Sequence, residues 1–170
     1  MKKLYLIIYY IFIKQLPSSF YPLGGCFNYI RIIILKKVIR DFGIKNKIQK
    51  GVYFGNGQDI SIGSNCQINE NVKLDNVVIG NYVMIAPGVT ILGKMHNFSS
   101  IETPMILQGE KKVLPTIIED DTWIGTNAII MPGITISKGS IIGAGSVVTK
   151  NTNQFGIYAG VPAKLIKYRV

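Results

Sequence analysis

At 170 residues the chain is long enough for one domain with its own core and too short for two of ordinary size. Nineteen Lys and Arg stand against nine Asp and Glu, a net charge of +10, yet ten of those bases and a single acid, Asp41, fall in residues 1–50. The excess charge therefore sits on an N-terminal arm suited to an anionic surface, and the near-neutral remainder, whose bases are scattered or gathered at the C-terminus, argues against a nucleic-acid reader.

Taken from the N-terminus, Leu4 to Ile13 (LYLIIYYIFI) form an unbroken apolar run behind Met1-Lys2-Lys3. It opens like a secretory signal, but no small-residue cleavage pattern follows. Instead come Lys14, Gln15, Leu16, Pro17 and a second apolar run, Ile30 to Ile39, broken by Arg31, Lys36 and Lys37. Ten helical residues cover about 15 Å, half of a hydrocarbon core of about 30 Å, so the first run cannot span a membrane. Two readings stay open and are compatible: residues 1–47 cap the end of the domain that follows, or they lie peripherally in a membrane interface with their bases toward the phosphates.

From Ile118 an aliphatic residue returns every six positions: Ile118, Ile124, Ile130, Ile136, Ile142 and Val148. Four residues after each stands a mostly small side chain, in the series Thr122, Ala128, Ile134, Ser140, Ser146 and Thr152. The same period runs through Ile62, Ile68 and Leu74, slips by one residue at Asp75-Asn76, and resumes at Ile79, Ile85 and Ile91. Six is neither the helical period nor simple alternation; it is a short strand plus a turn. Stacked hexads bury a continuous aliphatic column, each hexad forming one wall of a prism. Gly63, Gly80, Gly125 and Gly143, each following a column residue, are expected to supply the backbone freedom of the corners. Between Ile91 and Ile118 the repeat stops. This stretch, about residues 92–117, reads as a loop ejected from the coil and holds His96, the chain's one histidine. Cys26 and Cys66 match no metal or redox spacing and read as reduced, structural thiols; with one histidine, no metal site is expected.

On the hexads, and on the segments IEDDTWIG, AIIMPGITI, GAGSVVTK and AGVPAKLIK, the chain resembles the hexapeptide-repeat acyltransferases, in particular the galactoside, maltose and capsular-polysaccharide O-acetyltransferases. The resemblance covers about residues 48–170. It implies an all-β fold, a left-handed parallel β-helix with a protruding loop and an N-terminal helical arm, against the usual right-handed crossover rule. It also implies a homotrimer, acetyl-CoA as acyl donor, a saccharide acceptor, and a cytoplasmic location with peripheral membrane contact through the arm left open.

By the same resemblance His96 is the catalytic base. An acceptor hydroxyl is a poor nucleophile at neutral pH, and an imidazole within hydrogen-bond reach can take its proton as it attacks the thioester, then return it to the departing thiolate. Gly125 is a candidate N–H donor to the oxyanion. Thr126 and Ala144 would line the pantetheine groove, and Thr149, Lys150, Lys164 and Lys167 would face the nucleotide phosphates. Many relatives carry Arg at one of the last two positions; Lys there keeps the charge but loses the fork. Trp123 is either beside the active site or an interface anchor. Asp75 is a candidate acceptor contact, with a structural turn as its plainer role. Three rivals are a non-catalytic β-helix rod, which would need neither loop nor histidine; a γ-class carbonic anhydrase, which needs three histidines; and a serine or antibiotic acetyltransferase using the same chemistry.

Overall fold

The computed structural model describes all 170 residues. Two helices, α1 (Lys2–Ile11) and α2 (Gly24–Val38), precede a prism with three parallel walls. The first wall stacks Asp41–Phe42, Ile60–Ile62, Val77–Ile79, Thr116–Ile118 and Thr135–Ile136. The second stacks Lys47–Ile48, Gln67–Ile68, Met84–Ile85, Trp123–Ile124, Ile141–Ile142 and Gly156–Gly160, and is closed by the antiparallel strand Ala163–Tyr168. The third holds Thr90–Ile91, Ile129–Ile130 and Val147–Val148, extended toward the arm by single bridges from Thr90 to Lys73 and from Lys73 to Tyr53. No helix is long and apolar enough to cross a membrane.

Register places the six-residue repeat in vertical columns. Ile62, Ile79, Ile118 and Ile136 stand over one another in the first wall. Ile48, Ile68, Ile85, Ile124 and Ile142 do so in the second, and Ile91, Ile130 and Val148 in the third. All of these are buried. The small second positions fill the corners, and where they are hydroxyls each finds a partner: Thr122 Oγ1 donates to Glu119 O (2.7 Å), and Gly160 N–H donates to Ser146 Oγ (3.1 Å). Buried hydroxyls so satisfied are tolerated in an aliphatic column.

The glycines after the column residues act differently from expectation. Gly63, Gly80, Gly125 and Gly143 do not adopt positive φ; the left-handed residue comes later in the turn, at Asn65, Tyr82, Asn127 and Gly145. Their role is close approach. A Cβ on Gly63 would lie 2.4 Å from Gly80 O, and one on Gly125 2.6 Å from Ala144 N. The slip at Asp75-Asn76 is a tight corner with Asn76 at φ 42°.

The prism also begins earlier than residue 48. Its first strand, Asp41–Phe42, lies within the segment assigned to the arm and pairs with Ser61–Ile62. The arm covers this first coil. Tyr9 is buried against Phe54 and its hydroxyl donates to Val52 O (2.9 Å); the Tyr10 hydroxyl donates to Gly55 O (2.8 Å), and its pKa is pushed up to about 12, mainly by burial. Arg31 of α2 is fully buried, and its guanidinium donates to the carbonyls of Leu16, Pro17 (2.9 Å) and Ile48 (3.4 Å). Burial lowers its pKa from the usual arginine value. Ser18 Oγ donates to Glu70 Oε1 (2.6 Å), and Gln49 Oε1 accepts from Ser19 N–H (2.7 Å), fastening the inter-helix segment to the walls.

Arg31→Met would leave three main-chain carbonyls in and around the arm without their donor. The expected loss is on the order of 3 kcal/mol, measured by denaturant unfolding, with the arm becoming protease-sensitive before the prism.

Candidate active site

The departure at Ile91 is a structured hairpin rather than an open loop. Leu92 N–H still donates to Ile130 O (3.0 Å), and Gly93 then passes so close to the Asp75 corner that a Cβ would lie 2.6 Å from Asp75 Cγ. Met95–His96 pairs antiparallel with Glu110–Lys111, placing His96 opposite Glu110. Asn97 N–H donates to Gly109 O (3.0 Å), and the Gln108 amide ties the tip by donating to the carbonyls of Ser100 (2.9 Å) and Thr103 (2.6 Å). At the tip and on the return strand Phe98, Ile101, Ile106, Leu107 and Leu114 are exposed.

His96 is itself exposed, and its imidazole makes no hydrogen bond within the chain. Residues directly opposite in an antiparallel pair share a face, as do alternate residues of one strand, so Lys94, His96 and Glu110 project from one side of the hairpin. Glu110 is engaged there by Lys94 (3.3 Å). At the hairpin base Asp75 and Lys94 join Tyr53, Asn56 and Asp59 around a polar cavity of about 280 Å³. Sequence reading did not find Tyr53, Asn56 or Asp59, since outward-facing residues and residues of the turns leave no trace in the hexad pattern.

The corner between the second and third walls is bare of large side chains. Thr126 and Ala144 stack there, both exposed, with Gly145 N–H donating to Thr126 O (2.8 Å). Gly125 N–H donates to Ile142 O (2.8 Å), so this N–H belongs to the ladder and is not free to stabilise an oxyanion. The N–H groups of Thr126 and Ala144 have no acceptor in the chain. An extended ligand carrying amide carbonyls could use both.

Lys164 and Lys167 lie on the last strand, three residues apart, which in a regular strand would put them on opposite faces. The register shifts, however: Lys167 is opposite Ile157 and Leu165 opposite Tyr158, leaving Ile166 as an extra residue. This bulge returns both lysines to the outer face of the second wall, where the exposed Trp123 also lies. Thr149 and Lys150, both exposed, follow Val147–Val148 at the corner between the third and first walls. That is the edge from which the hairpin departs and on which Asp75 lies. The chain thus brings Thr126 to Ala144, Thr149 to Lys150, and Asp75 to the hairpin base, but it leaves His96 and the bare corner on different edges of the prism. No group of three His, Cys, Asp or Glu side chains is placed to hold a metal ion, and Cys26 and Cys66 are unbonded.

The family model for bacterial transferase hexapeptides (six repeats) matches residues 59–93 and 115–150, the two blocks flanking the hairpin. The galactoside O-acetyltransferase of Escherichia coli is 35% identical over 137 residues, which are 79% of this chain and 66% of that protein. Among solved structures, a hexapeptide-repeat acetyltransferase from Vibrio cholerae in complex with acetyl coenzyme A matches with a TM-score of 0.80 at 26% identity, covering 98% of this chain and 84% of the other. A galactoside acetyltransferase in complex with coenzyme A matches with a TM-score of 0.77 at 27% identity, over 98% and 78% of the two chains. The chain belongs to the hexapeptide-repeat acyltransferase family, and its prism is that family's left-handed parallel β-helix. It spans about two thirds, 66%, of the length of the galactoside O-acetyltransferases it matches.

Gly125→Ala would force a methyl group to within 2.6 Å of Ala144 N and 2.8 Å of Ile142 O. The expected outcome is a loss of about 1–3 kcal/mol in unfolding free energy together with weaker coenzyme A binding, read by chemical denaturation and by calorimetry.

Proposed function

We propose that the protein moves an acetyl group from acetyl-CoA to a hydroxyl of a saccharide, with His96 as general base. One observation carries this reading: the one long interruption of the repeat presents the chain's lone histidine on an exposed hairpin with its imidazole free. The relatives support the donor and the acceptor class, since they include galactoside acetyltransferases and structures holding coenzyme A or acetyl-CoA. The cavity at the hairpin base, with carboxylates, an amide and the Tyr53 ring, offers the polar and aromatic groups that a polyhydroxylated acceptor needs.

In this reading the His96 imidazole accepts the proton of the acceptor hydroxyl as its oxygen attacks the thioester carbonyl. The tetrahedral intermediate collapses with cleavage of the carbon–sulfur bond, and the imidazolium returns the proton to the leaving thiolate. Thr126 and Ala144 hold the pantetheine arm through their free N–H groups, while Lys164 and Lys167 meet the phosphates together with Lys150 of the copy that supplies His96. Because His96 and the bare corner lie on different edges, the site is completed by a second copy, consistent with a homotrimer whose hairpin tips pack their exposed apolar residues on neighbours. Acetyl-CoA as donor fits a cytoplasmic reaction.

Thiol release from acetyl-CoA over a panel of sugars and a glycolipid fraction is expected to fall at least about 100-fold in His96→Ala with coenzyme A binding retained. A variant that turns over normally would remove His96 from the mechanism, and a chain that binds no coenzyme A would be a rod rather than an enzyme. Replacing Lys164 and Lys167 together by Ala is expected to weaken coenzyme A binding about tenfold and flatten its salt dependence, with little change in binding of a pantetheine fragment lacking the nucleotide. Mixing His96→Ala with Ala144→Trp, each inactive alone, is expected to restore part of the activity if the site is shared between copies.

A further inference from the structure

The arm uses only one side of each helix to cover the first coil. In α1, Tyr9 points inward, while Leu4, Ile7 and Ile11 recur at three and four residues on the opposite side and are more than half exposed. In α2, Arg31, Leu35 and Val38 are buried, while Ile30 and Ile33 face out. The connecting segment adds Phe20, 70% exposed, and Leu23, 75% exposed. Scattered surface apolar residues need no explanation, but this set covers the outward sides of two packed helices and the link between them.

The charge around it is of one sign. Lys3, Lys36 and Lys37 are exposed on the same helices, and residues 1–40 contain no Asp or Glu. The first acid, Asp41, is already engaged by Arg40 (3.0 Å) and accepts from Ser61 Oγ (2.7 Å). We propose that the outward face of α1 and α2 docks peripherally on an anionic phospholipid surface, its aliphatic residues entering the interface and its lysines meeting the phosphates. Charge decides between occupants. A second copy meeting it face to face would bring an equally basic face against this one, whereas an anionic lipid surface complements it. Length decides the mode: α1 has ten residues and no helix can cross, so the helices lie in the plane of the interface. This docking does not depend on the transfer chemistry, and a chain without transferase activity would still show it.

The test is cosedimentation of the full chain with vesicles of phosphatidylcholine alone or with about 30% phosphatidylglycerol, at about 0.1 M and 0.5 M salt. Wild type is expected to partition at least about tenfold better onto the anionic vesicles, less so at high salt. Ile7→Glu with Ile33→Glu, and separately Lys36→Glu with Lys37→Glu, are expected to lose most of that partition with unchanged thermal midpoints. The lysine pair is fully on the surface and keeps the test valid should the isoleucine pair fold poorly. The proposal is overturned if wild type ignores anionic vesicles, or if the lysine variant binds them as wild type does. It is equally overturned if the isoleucine variant keeps vesicle binding but changes mass by light scattering, which would make this face a contact between copies.

Discussion

Everything in this molecule depends on one coil resting on the next at the distance set by a backbone hydrogen bond, about 4.8 Å. At that spacing a column of aliphatic side chains fills the interior completely, and the corners have no room for a Cβ where one turn presses on another. Gly63 against Gly80 and Gly125 against Ala144 are the visible signs of this pressure. The same constraint shapes the candidate groove. Where the chain turns between walls, successive N–H groups do not all find partners above, and those of Thr126 and Ala144 are left without an acceptor at a corner stripped of bulk. The proposed groove for a thin, amide-bearing ligand is thus a by-product of how the core is built.

The hexads from Ile62 onward were legible because each buried residue recurs at a fixed interval, and the break before Ile118 was legible as the loss of that interval. The first coil was not. Its inward residues Phe42, Ile48 and Phe54 keep the period among themselves, but Ile62 comes eight positions after Phe54, so the series looks detached from the repeat. The hairpin carrying His96 was hidden for another reason: its paired strands are two residues long, too short for any alternation to register. The glycines were found but given the wrong role, because a sequence shows that a residue is glycine without showing whether φ or a neighbouring backbone demands it.

The candidate site illustrates a deeper limit. Resemblance assigned His96, Thr126, Ala144, Lys164 and Lys167 one by one, and nothing in their order reveals that one chain holds them on separate edges. The bulge at Ile166 is similar. A spacing of three in a strand says opposite faces, and only the shifted register brings the two lysines together. Three-dimensional arrangement here arises from corners and irregularities, which are the features a periodic signal averages away.

The two ends of the prism are closed by unlike means, and this bears on how the chain behaves at high concentration. A parallel solenoid is in principle an open-ended template, since its last coil offers the same ladder that its first coil would accept. At one end α1, α2 and the buried Arg31 replace that ladder with helix. At the other, the final strand Ala163–Tyr168 reverses direction, so the outermost row of donors and acceptors runs antiparallel and carries a displaced residue. An incoming copy therefore meets helix at the one pole and, on the second wall, a reversed strand at the other. On that wall, head-to-tail addition of another copy would have to pair with a strand of opposite direction, a mismatch made by chain direction and not by repulsive charge.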